Sequence, residues 1–141
     1  MKVENKRAFF NYFIEERIEA GVVLTGGEAR AIREGHINLS NAYAKILSNE
    51  VYLVNAVVPI TGAKNYNQSR SRKLLLKRSE IIALETKMKQ KKLTLVPTKV
   101  YTKQRLVKVE LGLAKAKHEY EKKESLKQKD IERDIEMNLK N

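Results

Sequence analysis

The most constraining stretch runs from Leu106 to Leu113, where Val107, Val109, Leu111 and Leu113 alternate with Lys108, Glu110 and Gly112. A period of two places the four apolar side chains on one face of an extended chain, which a helix cannot do. Leu93 to Lys103 is a second extended run, with Gln104-Arg105 as the turn between the two. This is the clearest hairpin in the chain. Ala42 to Leu47 and Val51 to Val57 read as another, joined by Ser48-Asn49-Glu50, and Tyr12 to Leu24 as a strand bent near Ala20-Gly21.

Two helices interrupt the strands. Thr25 caps a short one from Gly26 to Glu34, with Glu28 completing a capping box and Gly35 supplying the stop. Ser79 opens the other, which runs to Lys92 with Ile81, Ile82, Leu84 and Met88 as its apolar positions. Pro59 to Arg72 is rich in Pro, Gly, Asn and Ser and reads as a mobile loop. The expected fold is mainly β with short helices, a small closed or partly open barrel over residues 1–113. A barrel of the OB type fits, although periodicity alone leaves the strand order open.

Residues 114–141 differ in kind. Fifteen of these 28 residues are charged, too many for the segment to bury a core of its own. Ser125 with Gln128 forms a capping box, and Ile131, Ile135 and Leu139 repeat at four-residue spacing. The residues admit two readings, a solvated helix packed on the body and a segment that folds on a partner. The expectation is a tail disordered in the free protein and helical from Ser125 on its partner.

Charge narrows the partner. The net charge is +12, and residues 1–113 carry 21 Lys and Arg against 10 Glu, while residues 114–141 hold 8 against 7. A lysine-rich coding bias would spread the excess evenly, whereas here it sits on the folded part. That favours a polyanion, above all a nucleic acid. Docking on an anionic membrane would need a cationic amphipathic helix with bulky apolar anchors, and the charge-balanced tail has neither Trp nor Phe. With no cysteine and only His36 and His118, no disulfide and no structural zinc site are expected. The N-terminus is polar, without a signal-peptide core, and the expected location is the cytoplasm. No paired acids, activated nucleophile or phosphate loop can be read, so neither catalysis nor a cofactor is expected.

RNA-binding features are present. Asn5-Lys6-Arg7 precedes Phe9, Phe10 and Tyr12, setting cations beside aromatics, although a core position suits at least one of the phenylalanines. Arg70, Arg72, Lys73, Lys77 and Arg78 surround Leu74-Leu75-Leu76, as though the leucines bury and the cations rim a barrel. Tyr101, Lys103 and Lys108 on the last hairpin are candidates to share that face.

Four segments together resemble the SmpB family. They are ENKRAFFNYFIEERIEAGVVLTGGEARAIREG, INLSNAYAKI, RSRKLLLKRSEI and LTLVPTKVYTKQRLVKVELGLAKAK, in family order and spacing over residues 5–123. The resemblance implies an OB-like closed barrel that binds the tRNA-like domain of tmRNA (SsrA RNA) and brings it to ribosomes stalled without a stop codon. It implies an RNA-facing set of Asn5, Lys6, Arg7, Glu28, Arg30, Arg33, Asn38, Arg72, Lys73, Tyr101, Lys103 and Lys108. It also implies a tail that meets the decoding centre and mRNA channel of the small subunit through Lys115, Lys117, Tyr120, Lys122 and Lys123. Tyr120 would stack on 16S rRNA. Elongation factor Tu and alanyl-tRNA synthetase would be reached indirectly, through tmRNA. The alternative is an OB-type RNA- or ribosome-binding factor not specific for tmRNA. The chain departs from the family at Ala116, where a glycine is usual, at His118 in place of Lys, and at Lys123 in place of Arg.

Overall fold

The structure, a computed structural model, describes residues 1–124 and 126. Its elements in chain order are β1 (Lys2–Glu4), α1 (Lys6–Asn11), β2 (Tyr12–Val22), α2 (Gly26–Arg33), β3 (Tyr43–Leu47), β4 (Glu50–Val54), β5 (Arg72–Leu75), α3 (Arg78–Lys91), β6 (Thr94–Lys103) and β7 (Leu106–Ala116). All strand pairings are antiparallel, in the order β1-β6-β3-β4-β5-β2-β7, and β6 pairs again with β7. That last pairing closes a ring of hydrogen bonds from β2 to β7, so this is the OB-like closed barrel expected, with β1 added on the edge of β6.

The inward faces follow the alternation. Val107, Val109, Leu111 and Leu113 of β7 are buried, packed with Val51 and Leu53 of β4, Leu95 and Val100 of β6, and Ile32 of α2. A second, smaller cluster of Ala8, Val96 and Ala114 seats α1 on the outside of the β6–β7 sheet. Gly112 makes that seat possible, because a Cβ there would lie 2.9 Å from Ile14 Cγ2 and 3.0 Å from Thr98 Cγ2. The two tight hairpin turns, Ser48-Asn49 and Gln104-Arg105, hold both residues at positive φ, as the twist of the flanking strands requires.

Several boundaries move. β1 and α1 were not expected. α1 has only six residues, and its cap, Asn5, is also its anchor: the Asn5 N–H donates to Thr98 O at 2.8 Å and its amide to Pro97 O at 2.8 Å. This supplies the partners that β6 lacks where its register shifts at Pro97. The irregularity expected in β2 at Ala20-Gly21 lies instead between Ile14 and Glu16. Gly21 is where β2 passes from β7 to β5, pairing with Lys108 and Leu75. α3 begins at Arg78 rather than after Ser79, because the Lys77 N–H donates to Glu80 at 2.8 Å and closes the turn earlier. Ile82 falls off its buried stripe and faces solvent. In the leucine triplet only Leu74 is buried, and Leu75 is 52% exposed, since adjacent residues of a strand face opposite ways.

The expected boundary at Leu113 is passed by three residues. β7 continues to Ala116, because Ala114 packs under α1 and pairs with both Ile14 and Thr94. Lys117 N–H then donates to Asn11 O at 2.8 Å, and residues 119–124 are helical, so order extends beyond the point where a tail was expected to begin. Apart from Leu126, the helix expected from Ser125 lies outside the described residues.

Candidate nucleic-acid interface

Two elements far apart in sequence meet at one end of the barrel. The Arg33 guanidinium, at the end of α2, donates to Arg105 O at 2.9 Å in the β6–β7 turn. The terminal amine of Met1 donates to Thr102 Oγ1 at 3.3 Å, which lays Lys2 beside Tyr101 in the pairing of β1 with β6. An open hollow of about 600 Å³ is lined there by Met1, Arg33, Thr102, Gln104 and Arg105. Beside the start of α1 lies another, of about 480 Å³, lined in part by Lys6, Arg7, Asn38 and Ser40. Asn38 is exposed and held by its own turn, its carbonyl oxygen Oδ1 accepting from Ser40 N–H at 2.9 Å. Arg30, 84% exposed in side chain, stands on α2 with only a 3.7 Å pair to Glu34.

The outer face of β2, β7 and β6 continues this surface. Lys103 lies 3.5 Å from Glu19, and the Tyr101 hydroxyl donates to the same carboxylate. Partial burial and that hydrogen bond push the Tyr101 phenol up, and the bond holds Glu19 below the usual carboxylate range. Lys108 pairs with Tyr101 across the hairpin. Glu110 is flanked by Lys99 at 3.3 Å and Arg17 at 3.4 Å. Arg17, Lys99, Lys103 and Lys108 thus outnumber the two acids. Lys99 and Arg105 were missed in the sequence, though the 99, 101, 103 spacing places Lys99 on the face of Tyr101 and Lys103.

Three expected RNA-facing residues are internal. Asn5 is buried by the bonds described above. Glu28 and Arg72 are both 0% exposed and pair at 2.7 Å. Glu28 also accepts from Thr25 N–H at 2.9 Å, Tyr66 OH at 3.0 Å and Arg70 Nε at 2.9 Å. Burial pushes the Glu28 carboxyl up, but the bonds from Arg70, Thr25, Arg72 and Tyr66 outweigh it and hold it at about 2. Arg72 donates further to the carbonyls of Ala56 at 2.8 Å and Gln68 at 2.9 Å. The loop expected to be mobile is therefore fastened to α2 by a buried ion cluster. These residues shape the surface without reaching it, because their polar atoms are spent inside.

Lys73 does not join the last hairpin either. It lies on β5, opposite Tyr52 and 3.1 Å from Glu50, with β2 and β7 between it and β6. At the other end of β7, Lys115 is exposed, Lys117 sits 4.9 Å above the Phe13 ring and Arg17 lies 5.4 Å from the Phe9 ring. Phe9 and Phe13 both face outward, not into the core. Tyr120 is 67% exposed and stacks on His118 with ring centres 5.6 Å apart. Lys122 pairs with Glu119 at 3.5 Å, and Lys123 is exposed. Among the described residues no cluster of three or more His, Asp or Glu is placed to hold a metal, and no helix is long and apolar enough to cross a membrane.

Comparison with known proteins adds a second line. The family model described as SmpB protein matches residues 2–141. An SsrA-binding protein of Desulfitobacterium hafniense is 44% identical over 140 residues, covering 97% of this chain and 90% of its own. One from Streptococcus pyogenes serotype M3 is 46% identical with the same coverage. A chain solved under the description "tmRNA-SmpB: a journey to the center of the bacterial ribosome" superposes with a TM-score of 0.69 at 39% identity, over 84% of this chain and 85% of that one.

Proposed function

The chain belongs to the SmpB family, and on that premise we propose that it binds the tRNA-like domain of tmRNA and delivers it to stalled ribosomes in trans-translation. The observation that carries the reading is the cationic end of the barrel, where Arg33 of α2 meets Arg105 of the β6–β7 turn and Lys103 stands on the adjoining strand face beside Glu19. Folded RNA is recognised largely by shape and backbone contact, which suits a rigid, positively charged barrel end. Lys6, Arg7, Arg30, Arg33, Asn38, Tyr101, Lys103 and Lys108 form the contact set, with Lys2, Lys99 and Arg105 added. Asn5, Glu28 and Arg72 hold that set in place from within.

The chain does no chemistry itself. Charging of tmRNA belongs to alanyl-tRNA synthetase and its transport to elongation factor Tu, both acting on the RNA in the cytoplasm. Lys115, Lys117, Tyr120, Lys122 and Lys123 lead into the tail that meets the decoding centre and mRNA channel. Titration with the tRNA-like domain and with an unrelated duplex of equal length, at several salt concentrations, tests the reading. Binding should weaken by roughly 0.7 to 0.9 log units per log unit of salt for each phosphate contact. It should favour the tRNA-like domain throughout. Equal affinity for both RNAs at every salt concentration promotes the non-specific OB-type factor instead.

A further inference from the structure

Tyr120 stacks on His118, and the other five tyrosines fall into two groups. The hydroxyls of Tyr52, Tyr66 and Tyr101 all bond to carboxylates of Glu50, Glu28 and Glu19. Tyr12 and Tyr43 make no side-chain hydrogen bond among the described residues, and both line one pocket of about 310 Å³. The pocket lies between α1, the turn before β3 and the start of β6. Arg7, Asn11, Ser40 and Asn41 stand in its polar wall, beside Thr94 and the internally bonded Asn5. None of the first four side chains has a hydrogen-bond or ion-pair partner among the described residues either. No acid lines it. Arg7 and Ser40 also border the hollow at the start of α1, so the pocket opens onto the proposed RNA surface.

We propose that this pocket receives one unstacked nucleotide of the bound RNA. The proposal rests on the RNA-binding reading above and gives it a specific contact. The volume stands at the lower end of the range for ligand pockets, which suits a single nucleoside. Exposed bases are taken up by stacking on flat side chains and by hydrogen bonds to their edges. Tyr43, partly exposed, offers the ring. Asn11 and Asn41 each offer a donor and an acceptor, so the wall can read a base edge. Arg7 is placed for the phosphate, and an acid-free lining suits an anion. The larger groove between β3 and α3 shares Tyr43 and adds Ser48 and Asn49, but its one acid, Glu85, already holds Lys89 at 3.0 Å, and no free cation there stands beside an acid-free wall as Arg7 does.

The nucleotide is supplied by tmRNA or by ribosomal RNA, and the experiment separates the two. The full-length ¹⁵N-labelled chain is titrated with AMP, GMP, CMP, UMP and inorganic phosphate. Amides of residues 11–12 and 40–43 should shift with nucleotides, one base preferred, while phosphate shifts only those around Arg7. Tyr43→Leu and Asn41→Ala should each weaken nucleotide binding about tenfold, the order expected for one stacked base, with the remaining spectrum unchanged. Tyr43→Phe keeps the ring and should bind more tightly than Tyr43→Leu. Shifts reproduced by phosphate alone, or variants that bind nucleotides as the parent does, overturn the proposal. Affinities of Tyr43→Leu for the tRNA-like domain and for a decoding-centre fragment of small-subunit rRNA then identify the source by which one falls. A fall in neither overturns the pocket as an RNA site. The mononucleotide titration involves no tmRNA, so its failure is separate from failure of the tmRNA reading.

Discussion

The protein builds the same cluster twice, once inside and once outside. Within the loop-to-α2 junction, Glu28 meets Arg70, Arg72 and the Tyr66 hydroxyl. On the β2–β7–β6 face, Glu19 meets Lys103, the Tyr101 hydroxyl and, at longer range, Lys108. The ingredients match and the environments do not. In the interior, desolvated charges are costly unless every lone pair and proton finds a partner, so the cluster specifies the backbone around it. At the surface, water and salt screen the charges, and their cations stay open to an incoming phosphate. Composition cannot separate a structural ion cluster from a binding one; burial does. Arginine dominates the inner cluster and lysine the outer, as expected where forked, fully bonded geometry is needed inside and a flexible charge outside.

The largest test removes one inner partner. Arg72→Ala leaves Glu28 buried and without the fully buried one of its two guanidinium partners, and should cost about 3–5 kcal/mol of stability. Urea unfolding followed by circular dichroism measures this, and a loss below about 1 kcal/mol would erase the distinction between the clusters. The pH dependence comes next. The Glu28 carboxyl is held at about 2 in the folded chain, below its unfolded value near 4.3. Its contribution is therefore fully present above the unfolded value and is lost as pH falls through the folded one. Between pH 5 and 2 the parent should lose roughly 2.5 kcal/mol more than Glu28→Gln, since a tenfold difference in proton affinity between the folded and unfolded chains is worth about 1.4 kcal/mol and the folded carboxyl is only half protonated at pH 2.

The outer cluster should respond in binding instead. Lys103→Ala and Lys108→Ala should each lower the salt slope of tRNA-like-domain binding by about 0.7 to 0.9, without moving the unfolding midpoint. A midpoint shift as large as that of Arg72→Ala would make these lysines structural. The smallest effect is expected for Glu19→Gln. It frees Lys103 from a competing carboxylate, so RNA affinity should rise slightly while stability stays at the parent level. Isothermal titration alongside thermal unfolding checks both, and a drop in affinity would mean that Glu19 positions its lysine.

Much of the local structure was legible in the sequence, because its causes are local. The Thr25–Glu28 capping box, the Gly35 stop at φ +88°, the β3–β4 and β6–β7 hairpins and the inward set of β7 all depend on residues a few positions apart. Net charge and four ordered motifs pointed to RNA and to the family for the same reason, since both are written along the chain. What tertiary structure alone decided joins distant segments. It made Gly21 the point where β2 passes from β7 to β5, carried β7 to Ala116 beneath α1, turned Phe9 and Phe13 outward and parted Lys73 from Lys103. It also took Asn5, Glu28 and Arg72 out of the expected RNA-facing set and gathered Tyr12, Asn41 and Tyr43 around one pocket. A motif records that a residue is needed, whereas exposure is set by what packs over it from 40 or more positions away, as Arg70 and Arg72 do over Glu28.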